Sequence, residues 1–250
     1  MMDRRTFLKL YLIGGAAIAI SPLIKPILDY AGFFYGEIVE TSRNYWVANN
    51  TNGLGGFPKY KIANYYSDVA PVFNKGCPVY FFAYPLQNEP CFLVDLKVLT
   101  GKEVPEIQNP YYGKYPGPLG SLKTIKGVGP SNSIYAFSAV CVHLGCQLPA
   151  QVKSNNPDLP GLNPSTSILH CPCHGSMFKL DEGGVVVGGP ANRPLPMVIL
   201  DYDPSTGDIF AVGDNAPYFS AGLPRNTPSD NLLYDPRYSY SVPSNPACQG

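Results

Sequence analysis

The sequence predicts an all-β fold, antiparallel strands in sandwich-like layers, preceded by one N-terminal hydrophobic helix. Three observations predict it. After Gly36 the apolar segments are short and punctuated by Gly, Pro and Asn. The chain holds 25 Gly and 27 Pro, together about a fifth of it, against an ordinary share of roughly 12%. Paired apolar segments flank turn-forming residues, as where Met197–Tyr202 and Asp208–Val212 enclose Asp203-Pro-Ser-Thr-Gly207. With 45% hydrophobic and 14% charged residues in 250, there is enough apolar material for a real core in one or two domains, and long helices are not expected there.

The hydrophobic helix comes from the leader. Asp3-Arg4-Arg5-Thr6-Phe7-Leu8-Lys9 precedes fifteen uncharged residues, Leu10 to Ile24. A twin arginine followed by an apolar stretch reads as a Tat-type signal, the export route of proteins that load a cofactor before crossing the membrane. Fifteen helical residues span roughly 22 Å, short of the roughly 30 Å hydrocarbon core. To anchor, the helix must run on through Ile27–Tyr35, with Lys25 snorkelling and Pro22 and Pro26 tolerated as kinks. We expect residues 1–36 to be an uncleaved anchor. Arg4, Arg5 and Lys9 would stay inside, which puts the body of the chain on the outer face of the cell membrane.

In the body, Val79–Tyr84 and Cys91–Val98 flank Pro85–Pro90 as a hairpin, and Ser133–Val140 is a further strand. Val152–Thr166, Leu99–Pro118 and the tail beyond Asp214 are rich in breakers and are expected as surface loops. Tyr111, Tyr112 and Tyr115 in the second of these are expected to pack loop against body. Eighteen Lys and Arg cancel eighteen Asp and Glu without a basic run, so nucleic acid is excluded as a partner.

The chemistry is concentrated in two boxes, Cys141-Val-His143-Leu-Gly-Cys146 and Cys171-Pro-Cys173-His174-Gly-Ser176. They hold four of the seven Cys and two of the three His. Two Cys and two His could form a tetrahedral zinc site, but zinc fingers usually pair Cys with Cys and His with His, whereas each box here contributes both types. Disulfide loops alone would leave both His unexplained. His170, just before the second box, is assigned a structural role.

The boxes resemble the Rieske iron–sulfur motif, C-x-H-x-G-C followed by C-P-C-H-G-S, over roughly residues 133–195. The resemblance implies a [2Fe–2S] cluster held by Cys141 and Cys171 on one iron and His143 and His174 on the other. It implies a disulfide between Cys146 and Cys173, and a Ser176 hydroxyl that donates to a bridging sulfide. Gly188-Gly-Pro-Ala191 fits the family's shielding Gly-Pro loop, with Gly189, Pro190 and Leu144 as the apolar rim around His174. The fold implied is a base formed by 37–135 and 195–250 with an inserted cluster-binding subdomain, 136–194. Phe178 stands where respiratory members often carry Tyr, and the 27 residues between His143 and Cys171 imply an added loop, Leu148–Thr166. Cys77, Cys91 and Cys248 remain, with three pairings open.

The ligand set explains the chemistry. Two ferric ions, two sulfides, two thiolates and two neutral imidazoles sum to no net charge, where four thiolates would leave two negative charges, so an electron enters more readily. Rieske centres span about −150 to +300 mV. Each ligating imidazole keeps a titratable N–H, which couples proton to electron uptake, and His174 is the ligand implied to face quinol.

The resemblance is to respiratory Rieske subunits of the loop-rich archaeal type. It implies partnership with a cytochrome b-type subunit, a haem acceptor and quinol in a complex of the cytochrome bc type. A Rieske oxygenase needs two further His and a carboxylate for a mononuclear iron, and His170 alone is left. A soluble Rieske ferredoxin would lack the Cys146 and Cys173 pair. The nearest rival is the Rieske subunit of an exported molybdenum oxidase such as arsenite oxidase.

Overall fold

The structure, a computed structural model, describes residues 59–84, 90–114, 122–148, 161–215, 242–243 and 245. The chain divides into Met1–Arg43 and Asn44–Gly250, and every described residue belongs to the second unit. The leader therefore lies outside the described residues, among which no helix is long and apolar enough to cross a membrane.

The fold is β and antiparallel, as expected. One sheet has six strands: β1 (Tyr60–Asn64), β2 (Val79–Ala83), β3 (Pro90–Asp95), β6 (Ile134–Ser138), β11 (Met197–Asp203) and β12 (Asp208–Asp214), in the order β1-β12-β11-β6-β3-β2. A second sheet has β7 (Gly161–Asn163), β8 (Ile168–His170), β9 (Met177–Lys179) and β10 (Val185–Gly188), in the order β10-β9-β8-β7. A small ribbon pairs β4 (Glu106–Gln108) with β5 (Thr124–Lys126).

Both faces of the large sheet are covered, which explains why β3 reads as an unbroken apolar run rather than an alternation. Side chains along a strand point alternately to the two faces. Val79, Phe81, Phe92, Val94, Tyr135, Phe137 and Met197 enter one core, which continues into Cys141, Leu162, Leu169, Cys171 and Phe178 of the boxes and second sheet. Their neighbours Phe82, Cys91, Leu93, Ile134, Ala136 and Val198 enter the other core, with Val72 and Phe73 of the short helix α1 (Ala70–Phe73). Phe92 and Phe137 stack across β3 and β6, ring centroids 5.9 Å apart.

Three expectations need correction. Leu96–Val98 does not extend the strand; it opens helix α2 (Leu96–Thr100). Asp95 ends β3 and caps the helix by accepting from the amides of Lys97 (2.9 Å) and Val98 (3.1 Å), while Gly101 closes it at φ 70°. Within Leu99–Pro118, β4 pairs with β5 and buries Ile107; Tyr111 packs inside as expected, Tyr112 is instead exposed, and Tyr115 lies outside the described residues. Gly161–Asn163, assigned to a surface loop, is instead the buried strand β7 against β8.

Strand pairing positions the site. β6 leads into the first box and β8 into the second. β6 and β11 pair at Phe137–Met197 and Ala136–Val198, and the Ser138 amide donates to the Pro196 carbonyl (2.9 Å). Everything between therefore leaves and returns at one point of the large sheet. At the sheet's β2 edge, the Asn245 side chain accepts from the Phe81 amide and donates to the Phe81 carbonyl, both at 2.8 Å.

Candidate metal centre

The two boxes fold to the same loop. In the first, the Cys141 amide donates to the Cys146 carbonyl (2.8 Å) and the Gly145 amide to the Cys141 carbonyl (2.9 Å). In the second, the Cys171 amide donates to the Ser176 carbonyl (2.8 Å) and the Gly175 amide to the Cys171 carbonyl (3.2 Å). Both loops turn at their fifth residue, where φ is 80° at Gly145 and 76° at Gly175, a conformation that favours glycine. This accounts for the glycine common to the two boxes.

The loops are brought together side by side. A disulfide joins Cys146 to Cys173, Cα atoms 6.6 Å apart. The rings of His143 and His174 meet edge to face, centroids 4.9 Å apart. Cys141 and Cys171 are buried free thiols. The Cys141 thiol donates to the Cys171 sulfur, and with the amides of Cys173 and His174 this pulls the Cys171 thiol down to about 6. That shared hydrogen bond, together with burial, pushes Cys141 up. The Cys171 sulfur lies within 4.8 Å of those of Cys146 and Cys173, but these two are bonded to each other and are not free to ligate.

The surroundings separate covered groups from open ones. His174, Leu144, Gly189 and Pro190 are exposed, whereas Ser176 and Phe178 are fully buried. Ser176 Oγ accepts from the Ala191 amide (3.1 Å), tying the loop after β10 to the second box. Phe178 sits in β9 opposite Leu169 and Val186. His170 ends β8, its Nε2 3.7 Å from where a Cβ on Gly175 would lie. Sequence reasoning missed the Ala191 amide, because a backbone donor leaves no mark on residue identity.

The donors suit a metal group of mixed ligation. Two buried thiols adjoin two imidazoles in contact, and His143 Nδ1 is buried with no hydrogen-bond partner among the described residues. A buried ring nitrogen left bare is costly unless it binds something. Of the remaining cysteines, Cys91 is buried, its thiol donating to the Tyr84 carbonyl (3.3 Å), and Cys77 is disulfide-bonded.

Residues 122–199 match the family model of the Rieske [2Fe–2S] domain. The chain is 68% identical to the soluble domain of the Rieske protein II (soxF) from Sulfolobus acidocaldarius, covering 80% of this chain and 98% of that one with a TM-score of 0.72. It is 37% identical to the chloroplastic cytochrome b6-f complex iron-sulfur subunit of Bigelowiella natans, over 30% of this chain and 24% of that one. It is 34% identical to the iodate reductase subunit IdrB of Denitromonas iodatirespirans, over 35% of this chain and 41% of that one. The chain thus spans between a quarter and about two fifths of these two curated relatives. Near-complete coverage of the soxF domain at this identity, on a fold and a pair of boxes that match, makes the chain a member of the Rieske family of [2Fe–2S] proteins.

Proposed function

We propose that this chain is the Rieske electron-transfer subunit of a membrane quinol-oxidising complex of the cytochrome bc type. It takes one electron and one proton from quinol and passes the electron to a cytochrome haem. Cys141 and Cys171 would hold one iron, His143 and His174 the other. The observation that carries the reading is the crosslinked pair of boxes, in which two buried thiols adjoin an exposed His174 flanked by exposed Leu144, Gly189 and Pro190.

When bound, the cluster supplies a one-electron acceptor that carries no formal charge in its oxidised form. His174 holds the transferred proton at its non-ligating ring nitrogen. Leu144, Gly189 and Pro190 give quinol an apolar rim that excludes water from the exchange. The Ser176 hydroxyl donates to the sulfur side, and the disulfide keeps the two loops in register. Residues 1–36 form the anchor, with 37–250 on the outer face: a base of 37–135 and 195–250 and a cluster-binding subdomain of 136–194. Similarity to the cytochrome b6-f subunit supports this reading. Similarity to the iodate reductase subunit favours a second one, the Rieske subunit of an exported molybdenum oxidase such as arsenite oxidase.

The test is EPR of the full chain purified from its own membrane. The reduced protein should give a signal whose average g lies below the free-electron value, lost in His174→Ala and in Cys141→Ala. Survival of that signal in either variant would remove the ligation. Co-purifying cytochrome b reduced by quinol supports the first reading, and co-purifying molybdenum the second.

A further inference from the structure

We propose that Tyr111 is a positioning residue for Ser176. By gripping the Pro194 carbonyl it holds loop 188–195 where the Ala191 amide donates to Ser176 Oγ, and so sets the direction of the Ser176 hydroxyl. The inference rests on the cluster assignment made above and adds a residue to it.

A serine hydroxyl has one proton to give and two lone pairs to receive with. The Ala191 amide, 3.1 Å from Oγ, occupies one lone pair, so the hydroxyl proton turns away from the loop. Ser176 is fully buried, and water does not compete for that proton. Cys141 is among the hydrogen-bond partners of Ser176. The loop amide therefore directs the hydroxyl toward the sulfur side of the site.

The loop must then be held still. Its descending limb is fixed at successive residues: the Leu195 amide donates to the Gly184 carbonyl (2.8 Å), the Ser138 amide to the Pro196 carbonyl, and Met197 exchanges two hydrogen bonds with Asn215. Pro194 has no N–H, so its carbonyl is its one backbone hydrogen-bonding group, and the Tyr111 hydroxyl donates to it at 2.5 Å. Tyr111 is itself anchored. Its ring is buried, and its amide donates to Asn109 Oδ1 (3.0 Å), which also accepts from Asn215 Nδ2 (3.1 Å). Asn109 Nδ2 donates to the Leu122 carbonyl (2.9 Å). The tyrosine thus stands on a buried network that also grips Met197, at the far end of the same limb.

The experiment is the reduction potential of the full, cluster-loaded Tyr111→Phe protein, with iron content and EPR on the same sample. The expected result is a full cluster whose reduction equilibrium constant falls three- to tenfold, about 30–60 mV at 59 mV per decade. Ser176→Ala should lower the potential by itself, and adding Tyr111→Phe to it should lower it no further. Ala191→Pro removes the amide donor without touching Tyr111 and should reproduce the fall even where Tyr111→Phe does not accumulate. An unmoved potential in loaded Tyr111→Phe or Ala191→Pro, or a fall undiminished in the Ser176→Ala background, overturns the proposal alone. A wild-type signal without mixed-ligand character overturns the cluster assignment and this proposal with it.

Discussion

Gly189 lies directly on the backbone of Gly175: a Cβ at 189 would stand 2.3 Å from the Gly175 carbonyl oxygen and 2.5 Å from Ser176 Cα. The neighbours are backbone atoms and cannot swing aside, and φ at Gly189 is 78°. Loop 188–195 and the second box are therefore fitted to each other with no room for a side chain.

Gly189→Ala should lift the loop off the second box. Overpacking costs roughly 1–3 kcal/mol and the left-handed conformation roughly 1 kcal/mol more, borne locally rather than by the base sheet. Iron release to a chelator should quicken by an order of magnitude or more, with the thermal midpoint of the β body little changed. Wild-type release rates would show that the loop does not cover the metal.

Removing the Cys146–Cys173 disulfide tests a different link. The bridge is the one covalent tie between the boxes among the described residues. Cys146→Ala/Cys173→Ala should leave far-UV circular dichroism unchanged while the visible bands of the cluster bleach at a lower temperature. Equal heat resistance would mean that the metal alone holds the loops.

Phe178→Tyr adds a donor at a fully buried position. A donor to a ligand sulfur favours the reduced, more negative cluster. If the difference between redox states is about 1 kcal/mol, part of the roughly 1.5–3 kcal/mol of a hydrogen bond to a charged acceptor, the potential rises on the order of 40 mV. Voltammetry of the two forms decides. An unchanged potential with a lowered thermal midpoint would show a hydroxyl buried without a partner.

Asp208 links stability to pH. The Lys61 ammonium, 2.7 Å away, and Asn64 Nδ2 hold its carboxyl below the usual range. A depressed carboxylate stabilises the fold above its unfolded pKa of about 3.9, and that contribution fades as pH falls through the lower folded value. The thermal midpoint of Asp208→Asn should lie below wild type at neutral pH and converge with it in strong acid. A gap that persists in acid would assign the effect to packing at the turn.

Much of this was legible in the sequence, and the exceptions share a cause. The hairpin of β2 and β3, and the strands β6, β11 and β12, announce themselves through apolar runs between breakers. The boxes do so through residue types no other role requires. Helix α2 hid inside an apolar run because Asp95 serves at once as strand end and helix cap. β7 hid because three residues carry no period, and its strand character exists through pairing with β8. Tyr111 was legible as a packing residue but not as a donor, since its acceptor lies 83 positions away in the chain.

The grip of Asn245 on Phe81 has a consequence for how copies of the protein behave together. Among the described residues β2 is the last strand of its sheet, and Val79, Phe81 and Ala83 turn their backbone groups outward, away from the ladder with β3. Such a row is a template on which another chain can add a strand. Asn245 presents a peptide-like amide to the middle of that row and occupies the position an incoming strand would have to take. Asn245 thus blocks the middle of this edge against an added strand. Asn245→Ala would bare the amide and carbonyl of Phe81 at the centre of that row, the two groups through which a further strand would pair.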